Sequence, residues 1–161
     1  MTKLFEKKLV KVGVLAMAIV LLLAVAMLSV VSILPERRAC FVGHKAASDL
    51  GCVLVAVAQT DRERQRGLGG VRWLPDMLGM LFVFSEPSYH SFWMKGMRIP
   101  LDFVWLRDGR VVDLNENVYP ETAEEKRWTI YKPMLPADMV LEVAAGWVKR
   151  RNLKVGDRLF W

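Results

Sequence analysis

The chain predicts a mainly β domain, a sandwich or a partly closed barrel with two short helices, preceded by one N-terminal transmembrane helix. Three observations carry that reading. The run from Val12 to Leu34 holds no charged residue over 23 positions. Beyond it, short β-branched and aromatic runs alternate with turn-forming residues, the pattern of strands rather than of long helices. Helical signals in that part are confined to two brief stretches.

About 20 apolar residues at 1.5 Å rise each cross the hydrocarbon of a bilayer, so Val12 to Leu34 reads as a retained membrane anchor. Lys3, Lys7, Lys8 and Lys11 precede it against a single Glu6. An excess of Lys and Arg at one end of a span marks the cytoplasmic side, which places the rest of the chain outside the cell membrane. The competing reading is a signal peptide cleaved after small residues near Ala24 and Ala26 or Val30 and Ser32, giving a secreted protein. A signal core is usually about 7 to 15 residues, and this one runs well past that. The chain therefore divides into a cytoplasmic tip (1–11), an anchor (12–34), a linker (35–51) and an extracytoplasmic β domain (52–161).

Of 161 residues, 127 follow the span, enough for one domain with its own core. The net charge of +6 splits evenly between the first 34 residues and the remainder. The exported part is thus mildly basic with interleaved signs, and its one dense basic run, Lys149, Arg150, Arg151 and Lys154, reads as a solvated helix face. No nucleic-acid partner is expected.

Cys40 and Cys52 both lie beyond the span. They read equally as a disulfide, which would suit an oxidising compartment, or as unpaired cysteines with Cys52 a small buried hydrophobe. Structural zinc wants four ligands, and His44 and His90 show no ligand spacing, so no metal and no cofactor are expected.

Along the domain, Val53 to Val57 reads as a buried strand. Thr60-Asp61-Arg62-Glu63 is a capping box, in which a Thr hydroxyl and a Glu carboxylate satisfy free N–H groups at a helix start, and Gly67 suits the stop. Leu81 to Phe84 is a strand stopped by Glu86 and Pro87. Ser91 to Lys95 reads as another, with Phe92 and Met94 on one face and Ser91, Trp93 and Lys95 on the other.

Asp108-Gly109 between Leu101–Arg107 and Arg110–Asn115 predicts a two-residue type I′ hairpin. The register pairs Arg107 with Arg110, Leu106 with Val111, Val104 with Asp113 and Asp102 with Asn115. Leu101, Phe103, Trp105, Val112 and Leu114 form the expected core face. From Glu121 to Pro136, through Trp128 and Tyr131, the chain reads as a mobile loop. Val140 to Val143 is a strand, Ala145 to Arg151 a short helix ended by Asn152, and Val155 to Trp161 a last strand.

No phosphate-cradling glycine loop, Gly-x-Ser-x-Gly elbow, His-Glu-x-x-His or Cys-x-x-Cys occurs. The ionisable candidates are His90, Lys95, Asp102, Asp113 and Glu142. Asp102 and Asp113 could act as paired carboxylates on a glycoside, or simply bond neighbouring backbone. Most of the six tryptophans are expected in the core; Trp93 and Trp128 are the exceptions. The candidate ligand site is Trp93, Lys95 and Asp102, with His90, Asn115 and Glu142 nearby.

Gly79-Met80-Leu81-Phe82-Val83-Phe84, His90-Ser91-Phe92-Trp93-Met94-Lys95, Ile99-Pro100-Leu101-Asp102, Val140-Leu141-Glu142 and Val155-Gly156-Asp157 resemble, in order, the successive blocks of the domain of unknown function 192 family. The resemblance covers about Val53 to Leu159. It implies a small, mainly β domain of jelly-roll-like or barrel-like form, often behind a signal or anchor, and no established activity. Two departures stand out: Gly96 where the family usually carries Asn, and Gly69-Gly70-Val71-Arg72 where it usually carries Met-x-Arg.

Three functions are compatible with these residues. The first is an anchored module that binds a small molecule or cell-envelope component. The second is a hydrolase using Asp102 with His90 or Glu142. The third is a structural or protein-interaction domain with no ligand site, which predicts no concavity beside Trp93 and Lys95.

Overall fold

The structure, a computed structural model, describes residues 37–44, 49–121 and 128–161. The anchor, the cytoplasmic tip and most of the charged 121–127 stretch lie outside the described residues. Among the described residues no helix is long and apolar enough to cross a membrane.

Seven strands run β1 Arg37–Val42, β2 Asp49–Ala58, β3 Leu78–Ser88, β4 Leu101–Arg107, β5 Arg110–Val118, β6 Ala137–Ala144 and β7 Arg158–Phe160. They close into a barrel in the order β1-β2-β3-β6-β4-β5-β7. Of the two predicted architectures the molecule takes the barrel, and its closure is complete. All pairings are antiparallel except β2 with β3, whose crossover carries helix α1, Asp61–Arg66.

Helix α1 forms where its local signals place it. The Thr60 hydroxyl accepts from the Glu63 N–H at 3.3 Å, and the Glu63 carboxylate accepts from the Thr60 and Gln59 N–H groups at 2.8 and 3.0 Å. Gly67 ends it at positive φ. These backbone hydrogen bonds from Thr60 and Gln59 hold the Glu63 carboxyl below its ordinary range. The second helix, α2, spans Trp147–Arg151, starting two residues later than expected, and Asn152 in the left-handed region ends it.

The stretch read as a linker, 35–51, instead contains β1 and the start of β2. Strand β1 closes the barrel, and its interior residues Ala39 and Phe41 are fully buried. Cys40 and Cys52 stand opposite each other in this ladder and form a disulfide, with Cα atoms 4.0 Å apart. Strand β3 passes through Glu86 and Pro87 to Ser88, beyond its predicted stop. The last strand is only three residues long, because Gly156 and Asp157 are spent on the preceding turn.

The β4–β5 turn forms as predicted, with Asp108 and Gly109 both at positive φ. Its pairing follows the predicted register only for the first two pairs. Val112 then bulges, so that Trp105 faces Asp113 and Phe103 faces Asn115; a second irregularity brings Val118 opposite Leu101. Bulges let a strand bend and coil, as barrel closure requires.

The expected core face is likewise corrected. Leu101 to Leu106 are all buried, because β4 is covered on both sides. Val104 and Leu106 enter the barrel with Val53, Val55, Leu81, Leu141, Val143 and Leu159. Phe103 and Trp105 point outward into an aromatic layer with Phe92 and Tyr131.

Segment 89–100 lies over that layer. Ser91–Lys95 is not a strand: its one ladder contact is Phe92 with Tyr131. The predicted alternation survives, with Met94 buried and Trp93 and Lys95 exposed. Tyr131, read as part of a mobile loop, is fixed by that bridge, through the Phe92 and Tyr131 N–H groups at 2.9 and 2.8 Å.

Candidate functional site

Alternation along β6 builds the site. Leu141 and Val143 point into the barrel, so Glu142 between them points outward. Gly79, opposite Val143, lets β3 and β6 approach closely, since a Cβ there would sit 2.8 Å from the Glu142 carbonyl oxygen. Outside the sheet, α1 with its following turn and segment 90–97 arch over β3 and leave a cavity of about 270 Å³. Its walls include Phe82, Phe84, Phe92 and Trp93, with Glu142 also among the lining residues.

Glu142 is 6% exposed, and its Oε2 atom has no hydrogen-bond partner. Burial pushes its pKa from 4.5 to about 8. At neutral pH the side chain is accordingly a neutral acid, able to donate one O–H bond.

His90 stacks on Phe84 with ring centroids 3.5 Å apart, and its Nε2 has no partner. Burial pushes its pKa down, and nearby Arg64 adds to this, against opposing contacts from the Glu86 and Ala137 backbone. Arg64 lies over Phe84, donates to the Val83 carbonyl at 2.9 Å and pairs with Asp61 at 2.6 Å. Its charge is therefore spent within the wall. Lys95 lies 5.6 Å from the Trp128 ring centroid, and Trp93 and Trp128, the two tryptophans expected outside the core, are both exposed. Neither Lys95 nor Arg66 has an ion-pair partner among the described residues.

Four of the six candidates, His90, Trp93, Lys95 and Glu142, line this cavity; Asp102 and Asn115 do not. Asp102 is fully buried on the barrel side of β4. Its Oδ1 accepts from the Asn117 and Gly146 N–H groups at 2.8 and 3.1 Å, and its Oδ2 from the Val148 N–H at 2.9 Å. It ties the start of α2 to the barrel, where Trp147 and Val148 join the core. The predicted Asp102–Asn115 pairing is replaced: Asn115 accepts from the Trp105 indole at 2.7 Å. Asp113 accepts from the Met134 N–H at 2.8 Å and stands opposite Trp105, so the suggested Asp102–Asp113 pair does not face across a cleft.

Among the described residues no cluster of His, Cys, Asp or Glu could hold a metal ion. His44 bonds Asp157 through its N–H at 2.9 Å and its Nδ1 at 2.7 Å. The sequence reading missed Arg66 and the wall formed by Phe82 and Phe84. The capping box locates α1, but only the parallel β2–β3 crossover brings its last turn over the outer face of β3.

A family profile, that of DUF192, described as Uncharacterized ACR, matches residues 43–161. The chain belongs to the DUF192 family. A candidate transcription regulator from Sinorhizobium meliloti 1021 has a crystal structure that is 31% identical, with a TM-score of 0.69, covering 76% of this chain and 91% of that one. A protein of unknown function from Novosphingobium aromaticivorans DSM 12444 is 28% identical, also with a TM-score of 0.69, covering 80% and 85% respectively. No curated protein matches the chain. The two departures from the DUF192 pattern meet beside the cavity: the Gly70 N–H donates to the Gly96 carbonyl at 3.1 Å, and Gly69 lines the wall.

Proposed function

We propose that this DUF192 domain is a small-molecule binding module, held outside the cytoplasmic membrane by residues 12–34. The observation that carries the reading is Glu142, a buried acid with an unpartnered oxygen lining an aromatic-walled cavity. A lone polar atom in such a place costs stability unless something bonds it, and a ligand would do so. The cavity beside Trp93 and Lys95 counts against a purely structural role. The Cys40–Cys52 disulfide suits an oxidising compartment, in keeping with export.

The hydrolase reading loses Asp102, which is committed to three backbone N–H groups. The helices among the described residues have six and five residues, too short for a recognition helix in a major groove. The regulator description of the Sinorhizobium protein is therefore not carried to this chain.

The test is capture from cell-envelope extract by the full-length protein in mild detergent, with bound small molecules read by mass spectrometry. A retained compound that is lost from Ser91→Trp, which obstructs the cavity, supports the reading. An empty protein, or retention indifferent to Ser91→Trp, defeats it. Turnover of the captured compound would make the domain an enzyme.

A further inference from the structure

The sign of the cavity wall discriminates between ligand classes. Its charged and titratable groups are Asp61, Arg64 and Arg66 from α1, His90 and Lys95 from segment 90–97, and Glu142 from β6. Strand β3 contributes only Phe82 and Phe84 to the wall, and Phe103 stands beside Glu142 on β4. Asp61 and Arg64 offset each other in their ion pair. His90 and Glu142 are both neutral near pH 7, one held below its ordinary range and the other above. Among the described residues Arg66 and Lys95 have no acidic partner, Lys95 lying over the Trp128 ring with its charge intact.

Among the described residues a cation entering this cavity would approach like charge and meet no ionised carboxylate except Asp61, already paired with Arg64. An anion would gain at the mouth, where field lines from Arg66 and Lys95 converge over low-dielectric walls. Deeper in, the rings of Phe82 and Phe92 offer apolar surface, and the protonated Glu142 offers a donor to an oxygen.

We propose, building on the binding reading above, that the cavity takes a small organic anion: its anionic head lies at Lys95 and Arg66, its apolar body lies against Phe82 and Phe92, and Glu142 donates a hydrogen bond to it. The anion makes Glu142 harder to ionise, and ionised Glu142 repels the anion. Binding therefore weakens as pH rises past the point where Glu142 loses its proton.

The full-length protein in detergent is titrated with benzoate, benzamide and benzylamine, which share one ring and carry negative, neutral and positive heads. Saturable shifts are followed by ¹H–¹⁵N NMR at pH 6.5 and 9. Benzoate is expected to bind at least about tenfold more tightly than the other two at pH 6.5, and about tenfold more weakly at pH 9 than at pH 6.5. Lys95→Met should weaken benzoate several-fold and leave benzamide unchanged. Glu142→Gln should keep benzoate binding and remove its pH dependence. Preference for benzylamine, tightening with pH, overturns the anion proposal while leaving a binding module in place; so does equal affinity for benzoate and benzamide. No saturable shift with any probe also overturns it, and the binding reading falls too if the envelope-extract capture comes back empty or is indifferent to Ser91→Trp.

Discussion

Substituting Glu142 should change how stability depends on pH. In the folded domain its pKa stands at about 8 against an ordinary 4.5, because burial penalises the carboxylate. The native state then holds a proton that the unfolded chain has released, and stability falls as pH rises between those values. Stabilisation from this group is fully present below 4.5 and is lost as pH climbs through about 8. His90, held low by burial, acts in the opposite sense, with stability falling as pH drops below its ordinary 6.5. In the window from pH 6.5 to 8 Glu142 outweighs His90, since an unfolded His90 is at most half protonated there.

One pH unit of differential protonation is worth about 1.4 kcal/mol, so this window of about 1.5 pH units should cost the wild-type protein about 2 kcal/mol. Water entering the cavity lowers that figure, which is thus an upper value. Glu142→Gln preserves shape and stays neutral throughout. Urea unfolding of both proteins at pH 6.5, 7.2 and 8 should show the wild-type falling and the Gln variant level. Parallel profiles would refute the buried neutral acid, and with it the charge accounting of the cavity.

Asp102→Ala should destabilise the protein by about 4 kcal/mol, since it leaves the buried N–H groups of Asn117, Gly146 and Val148 without their acceptor. Asp102→Asn should cost about 2 kcal/mol, because its amide turns a donor toward one of those N–H groups; thermal unfolding that moves for neither variant would remove Asp102 from the fold's supports. Joint replacement of Cys40 and Cys52 by Ser should cost about 3 kcal/mol in denaturant unfolding, and a reductant should then have no further effect. Burial works to raise the Asp157 pKa, but hydrogen bonds from His44 and Lys154 overcome it and hold the carboxyl below its ordinary 3.8. Stability from Asp157 is thus present above that value and lost as pH falls through the lowered one, so Asp157→Asn should flatten the acid limb of an unfolding profile below pH 4. Thr60→Ala should lower stability by about 1 kcal/mol through the lost α1 cap, measurable by urea unfolding at neutral pH.

Features set by neighbours in the chain were legible before the fold was known. The α1 cap at Thr60 and Glu63, the left-handed Asp108-Gly109 turn and the end of α2 at Asn152 each close over a few residues, so local stereochemistry suffices. Alternation also told Trp93 and Lys95 from Phe92 and Met94, and Trp105 and Trp147 are buried as expected, whereas Trp73 and Trp161, also expected in the core, are exposed. The candidate site was legible in part: His90, Trp93, Lys95 and Glu142 were named, but not as one wall.

Tertiary structure decided whatever depended on partners far along the chain. Asp102 looked like a ligand group because a carboxylate interrupts an apolar strand, yet its three donors lie 15, 44 and 46 residues away. The bulge at Val112 shifted the hairpin register, since a barrel must bend its strands to close and a flat ribbon need not. Strand β4 could be assigned a single core face only while its outer cover was unknown; segment 89–100 buries the second face. Glu142 is an ordinary carboxylate in the sequence, and becomes a neutral acid in a cavity only when β6 is inserted between β3 and β4 and α1 crosses above. Residue types and local periods state which groups can do chemistry, whereas chain crossovers determine which of them meet away from water.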